Sequence, residues 1–274
     1  MMNLFNPLIV FALVSSCTTL PASEPRVVQK KWELVWSDEF DKPGRPDTKN
    51  WKYQTGDGGW GNHEAQNYTN RAENARVEDG ILVIEARKEK YKNNAYTSAR
   101  LNSKTAWTFG RFEVRAKLPS GRGTWPAIWM MPMNDGRYNK GAWPDNGEID
   151  IMEHVGFEAG VVHASLHTKS YNWIMNTQKT AKTTVPKATS GFRVYALEWS
   201  DDEISMFIDK QKFHSFKNPR TSYEEWPFHQ PFYLILNIAV GGNWGGKEGI
   251  DDSVFPQKLE IDYVRVYRAV APAR

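Results

Sequence analysis

The chain has 274 residues, enough for one large all-β domain or two small domains. Its 35 Lys and Arg stand against 32 Asp and Glu, a net charge of +3 with the basic residues scattered rather than striped, which argues against nucleic acid as a partner and for a neutral one. Twelve Trp, thirteen Phe and eleven Tyr, many beside Gly, Pro or Asn, point to exposed aromatic platforms.

In chain order, the first element is an apolar stretch from Leu8 to Val14, too short to span a bilayer and followed by small residues, which reads as an export signal. Cys17 is the sole cysteine, so no internal disulfide forms. Val14-Ser15-Ser16-Cys17 resembles a bacterial lipobox, whose cysteine is acylated and becomes the mature N-terminus, although Met1 to Asn6 lack the usual Lys or Arg. Residues 1–17 are therefore expected to be a lipoprotein-type signal segment and 18–30 a polar tether. The expected location is the bacterial outer membrane or cell surface, with membrane attachment through acylated Cys17; ordinary secretion is the alternative.

A single catalytic domain is expected over residues 31–270, because from Trp32 onward short alternating segments are separated by Gly, Asn, Asp and Pro, and helical spacing is absent. Ile81 to Ala86, Gly110 to Lys117, Phe192 to Trp199, Glu203 to Ile208, Phe232 to Ala239 and Lys258 to Tyr267 read as strands. Antiparallel sheets must bury one face, so the expected class is an all-β sandwich of two sheets. Gly56 to Asn74, Pro132 to Gly147 and Asn172 to Ser190 read as rim loops.

The segment Gly147 to His154, GEIDIMEH, sets acids at 148, 150 and 153 around two isoleucines. Period two puts Glu148 and Asp150 on one face and would send Glu153 to the buried face, where an unpaired carboxylate is costly. A bulge at Met152 resolves the conflict by returning Glu153 to its partners. Such a strand can be a plain solvated face, but like charges two residues apart repel unless they share protons. Trp125, Trp129 and Trp143 precede the acids, and sugar C–H faces stack on such rings. Carboxylates with tryptophans indicate glycoside chemistry, and neighbours on one strand favour the retaining spacing of about 5–5.5 Å over the inverting gap of roughly 6.5–9.5 Å.

GEIDIME resembles the active-site signature of glycoside hydrolase family 16, in its bulged branch of laminarinases, agarases and carrageenases. The resemblance runs from Trp32 to Arg268 and includes WSDEFD from Trp36, GGWGNHEAQNYT from Gly58, GRFEVRAKLPSGRGTWPAIWMMP from Gly110, HASLHT from His163, LNIAVGGNWGG from Leu236 and IDYVRVY from Ile261. It implies a β-jelly-roll with a concave cleft, Glu148 as nucleophile, Glu153 as acid/base and Asp150 as their electrostatic helper. GGWGNHEAQNY, WPAIWMMP and the EHVG after the signature look like laminarinases, which implies an endo-acting hydrolase of β-1,3-glucan working as a monomer. The resemblance further places Asn62, Trp125, Trp129, Trp143, His167 and Trp244 against sugar, with core packing as the alternative for each Trp. It implies one structural calcium at Glu39, Gly80 and Asp262 and no cofactor for catalysis. A zinc role for His163 and His167 is disfavoured, because on a strand they are not a helical i, i+4 pair. Rival expectations are an agarase or porphyranase, a transglycosylase, and a β-glucan-binding protein.

Overall fold

Apolar and polar residues alternating at period two build seventeen strands within residues 31–133 and 141–270, the part of the chain that the computed structural model describes. In chain order they begin β1 (Lys31–Asp38), β2 (Trp51–Tyr53), β3 (Gln66–Tyr68), β4 (Ala75–Glu78), β5 (Ile81–Tyr91), β6 (Asn94–Ser98), β7 (Arg100–Trp107) and β8 (Gly110–Lys117). They continue β9 (Thr124–Pro132), β10 (Glu148–Glu153), β11 (Val161–His167), β12 (Lys179–Thr184), β13 (Arg193–Trp199), β14 (Glu203–Ile208), β15 (Gln211–Lys217), β16 (Phe232–Val240) and β17 (Gln257–Val270). Cys17, the signal segment and the tether lie outside the described residues.

The strands form the expected all-β jelly-roll. One sheet has ten strands, ordered β15-β14-β13-β8-β17-β5-β6-β3, with β1 added to β17 and β4 to β5. The other has seven, ordered β12-β11-β10-β9-β16-β7-β2. β8 shows how the sequence chooses a face: Phe112, Val114 and Ala116 are buried while Arg111, Glu113, Arg115 and Lys117 lie on the outer side. The inner faces meet in one core that includes Phe112, Val114, Leu197 and Val264 from the larger sheet and Ile128, Ile149, Leu166 and Leu236 from the smaller. Truncating one such fully buried leucine, Leu236→Ala for instance, costs about 2–5 kcal/mol.

The smaller sheet carries the carboxylates at its middle, where β10 is paired on both edges, by β9 and β11. A central strand is held by two ladders, so its side chains are fixed more firmly than those of an edge strand. The expected loop Asn172 to Ser190 is corrected in part, because it contains β12. That strand, KTAKTT, is polar and alternates half-buried with exposed residues on the sheet edge, so it lacks the apolar signal of a buried strand.

Candidate active site

Gly147 admits β10 to its place. Its φ of +88° suits glycine, and a Cβ there would stand 2.8 Å from Pro227 Cγ. Beyond it Asp150 pairs with Trp129 on β9 and Ser165 on β11, whereas Glu153 pairs with Ala127 and His163. A regular ladder would bring Met152 opposite Ala127 and His163, so β10 carries one extra residue. The register shift against β9 falls between Asp150 and Met152; Ile151 and Met152 are both buried, and Glu148, Asp150 and Glu153 all line the cleft. The bulge is therefore the Ile151-Met152 step.

Pairing then extends a row across six of the sheet's seven strands. Arg100 on β7 faces Asn237 on β16, Asn237 faces Ala127 on β9, Ala127 faces Glu153, Glu153 faces His163, and His163 faces Lys182 on β12. Two adjoining hollows open on this surface, of about 350 Å³ and about 430 Å³. Glu148, Glu153, Asn62, Trp125 and Trp173 line both, so the carboxylates stand where the hollows meet. All six residues expected to contact sugar lie on this surface: Asn62 and Trp125 in both hollows, Trp129 and Trp143 in the first, His167 and Trp244 in the second.

Trp125 donates its indole N–H to Glu153 Oε1 at 3.0 Å. Behind it the Trp244 ring packs edge-on at 5.5 Å and His163 packs on Trp244 at 4.9 Å, with His163 Nε2 fixed 3.0 Å from Glu158 Oε2. His163 thus supports an aromatic corner, and its imidazole is tied to Glu158. On the other side Trp129 donates to Asn237 Oδ1 at 2.7 Å, Asn237 donates to the Tyr68 hydroxyl at 3.1 Å, and Tyr68 donates to Glu64 Oε2 at 3.3 Å. This polar floor holds the Trp129 ring in orientation.

Burial raises all three carboxyls. Glu148 is pushed up to about 8, first by desolvation and then by the charge of Asp150. Asp150 is raised well above its ordinary value by burial and by the charge of Glu153. Glu153 is pushed up to about 7 by burial, opposed by the Trp125 hydrogen bond and reinforced by the charge of Glu148. Taken one at a time, these values would protonate Glu148 more firmly than Glu153. Glu148 and Asp150, however, interact directly, and two like charges cannot both persist in this pocket, so the pair shares a proton. With that proton on the more buried Asp150, Glu148 is free to act as an anion.

His167 Nε2 lies 3.3 Å from Asp150 Oδ2 and 3.9 Å from Glu148 Oε1. Ligand atoms of Glu148, Asp150 and His167 lie within 4.8 Å of one another, the geometry of a metal-capable set. Sequence spacing hides this set because the carboxylates come from the neighbouring strand. His167 Nδ1 is buried with no hydrogen-bond partner among the described residues.

The expected calcium position has a different character. Register brings Glu39, beyond the end of β1, and Asp262 together on β17, near the β4–β5 turn that holds Gly80. Glu39 is held by both Arg265 Nε at 2.9 Å and Nη2 at 2.8 Å, and Asp262 is paired with Arg115 at 2.5 Å. As arranged, each of the two carboxylates is engaged by a guanidinium group, while the donor types, two carboxylates and a backbone carbonyl, are the hard oxygens that calcium takes.

Residues that the sequence reading did not single out also reach the cleft: Trp60, Glu64, Arg100, Trp173 and Asn237. Arg100 lies over the Trp60 ring at 5.0 Å and the Trp129 ring at 4.7 Å. The advance signals were the motifs, GGWGNHE for Trp60 and Glu64 and LNIAVGGNWGG for Asn237, and for Trp173 a tryptophan beside Asn172.

The family model described as glycosyl hydrolases family 16 matches residues 62–265. A protein named beta-glucanase from Rhodothermus marinus is 56% identical over 247 residues, covering 87% of this chain and 86% of its own. The X-ray structure of the laminarinase from Rhodothermus marinus superposes with a TM-score of 0.86 at 55% identity, covering 89% of this chain and all (100%) of that one. The crystal structure of SCLam, a non-specific endo-β-1,3(4)-glucanase of the same family, has a TM-score of 0.83 at 44% identity, over 90% of this chain and 95% of the other.

Proposed function

The chain belongs to glycosyl hydrolase family 16, and on that footing we propose that it is an endo-acting β-1,3-glucanase of laminarinase type that retains anomeric configuration. The observation that carries this reading is the bulged row, which sets Glu148 and Glu153 on the cleft side of one central strand between walls of tryptophan. Glu148 attacks the anomeric carbon as Glu153 gives its proton to the departing glycosidic oxygen, and the C–O bond breaks while a glycosyl ester forms on Glu148. Water then enters, Glu153 takes its proton, and attack on the same carbon releases Glu148 and a sugar hemiacetal. Two inversions restore the starting configuration. Asp150, holding the shared proton, keeps Glu148 anionic before attack.

The hollows extend to both sides of the carboxylates, so a polymer can be cut within its length. Among the described lining residues Arg100 is the single Lys or Arg, and two tryptophan faces occupy it, which favours a neutral glucan over a sulfated galactan.

Product analysis on laminarin, mixed-linkage glucan, agarose and carrageenan tests the reading. Laminarin is expected to yield new reducing ends, and Glu148→Ser to lower the rate by about 10⁴-fold. Cleavage of agarose with laminarin untouched sinks it, as does tight binding of laminarin without cleavage. Lengthened products in place of new reducing ends assign the chain to transglycosylation.

The lipobox-like Val14-Ser15-Ser16-Cys17 and the absence of any other cysteine support a second part of the proposal, export with an acyl anchor on Cys17. Labelled palmitate is expected in the wild type and not in Cys17→Ala. If the label never enters the wild type and Cys17→Ala still partitions with membranes, there is no anchor.

A further inference from the structure

Between β11 and β12 the chain makes a tight excursion whose shape is set from within. Buried Asn172 donates Nδ2 to the carbonyls of Thr168 at 3.1 Å and Lys169 at 3.0 Å, and its Oδ1 accepts the Met175 amide at 3.1 Å. The Thr177 amide returns to the Asn172 carbonyl at 3.0 Å, and Asn176 turns the chain at φ +55°. At the tip stand Trp173, Ile174 and Met175, which are 48%, 63% and 53% exposed. They are consecutive, and a turn pinned by Asn172 cannot fold them away from water. A contiguous exposed apolar patch marks an interaction surface more often than it marks chance.

Trp173 ties the tip to the cleft. It lines both hollows, and its ring lies 6.1 Å from that of Trp143 at an interplanar angle of 34°. Ile174 and Met175 line neither hollow. A glucan chain seated in the cleft therefore passes the ridge without occupying it.

Resting on the glucanase reading above, we propose that Ile174 and Met175 dock a second glucan chain packed beside the one in the cleft, so that the enzyme engages gelled, insoluble β-1,3-glucan through this ridge. Sugar rings present flat C–H faces that suit uncharged apolar side chains. Continuity with the cleft places the ridge where a neighbouring chain of an aggregated polymer lies. The nearby cations are engaged, Lys169 by Glu224 and Lys179 over the Tyr171 ring at 3.9 Å, so the ridge offers little to an anionic lipid surface. Its three side chains supply on the order of 300 Å², well short of the roughly 800 Å² that each partner of a stable dimer buries.

The test compares wild type with Ile174→Ser/Met175→Ser, both as the full chain, on a soluble laminarin oligosaccharide and on a curdlan gel. The double variant is expected to cut the soluble substrate within about two-fold of wild type, while adsorption to curdlan and release of reducing ends from it fall about ten-fold. Unchanged behaviour on curdlan overturns the proposal, and so does an equal loss on both substrates. Thermal unfolding of the double variant checks that it folds, and the single variant Met175→Gln, expected to lose about three-fold on curdlan alone, gives an independent reading. A dimer in sedimentation that the double variant dissociates would reassign the ridge to self-association. A wild type that cuts neither substrate defeats the glucanase reading itself, a failure distinct from loss of the gel effect alone.

Discussion

β8 and β10 are written in the same alternating style and end in opposite electrostatic states. On β8 every outward charge meets an opposite one: Arg111 pairs with Glu113 and Glu198, each at 2.7 Å, Arg115 with Asp262, and Lys117 with Glu260. On β10 three acids face one cleft and no Lys or Arg is paired with them among the described ion pairs. Paired charges on an outer face offset one another in solvent, and such pairs contribute little. In the walled cleft Glu153 keeps its proton into the neutral range, which is what a proton donor needs. The contrast comes from partners and solvent, since the local pattern is shared.

Substitutions can break or sharpen this contrast. The largest effect is expected from Glu153→Gln, which removes the proton donor and lowers laminarin hydrolysis by about 10²–10⁴-fold, with a much smaller loss on an aryl glycoside whose leaving group needs no protonation. Equal losses on both substrates would argue against the acid role. Wild-type activity should decline as pH rises through about 7, as Glu153 loses its proton. Trp125→Phe removes a hydrogen bond that favours ionised Glu153, so this alkaline limb should move to higher pH while kcat/KM falls about ten-fold; an unmoved limb means the indole N–H does not tune the acid.

Stability gives a third check. Burial makes the folded Glu148–Asp150 pair keep a proton that the unfolded carboxyls give up near the ordinary 4.5, so above that value the folded state binds more protons than the unfolded state and stability falls as pH rises. Below pH 4.5 both states are protonated and the penalty vanishes. Glu148→Gln should therefore unfold at a higher temperature than wild type at pH 9, by about 2 kcal/mol in stability, and show no gain at pH 4 by calorimetry. The smallest effect belongs to β8, where Glu113→Gln should cost about 0.5 kcal/mol in denaturant melts and leave laminarin turnover unchanged.

Much of this was legible in the residues. Gly110–Lys117 and Glu203–Ile208 are strands with the bounds their alternation gives, and others extend by a few residues, Ile81 to Ala86 reaching Tyr91. The bulge was legible because two isoleucines and three acids cannot all keep their faces at period two. β12 was not, since an edge strand of Lys and Thr has no buried face to announce it. Nor were Arg100 and Trp173 legible as cleft residues. Arg100 arrives through two strand pairings, β7 on β16 and β16 on β9, and Trp173 through a turn shaped by one buried asparagine. Those placements depend on long-range register, which local sequence does not encode.

The bulge also makes catalysis a matter of counting parity. A regular strand would present its third acid at position 152; this chain presents it at 153 and buries both Ile151 and Met152. Removing Met152 or adding one residue beside it leaves the composition almost untouched, yet either change inverts the in–out phase of everything that follows. The reactive groups here are thus protected less by their own identity than by the even number of residues, Ile151 and Met152, that separates Asp150 from Glu153.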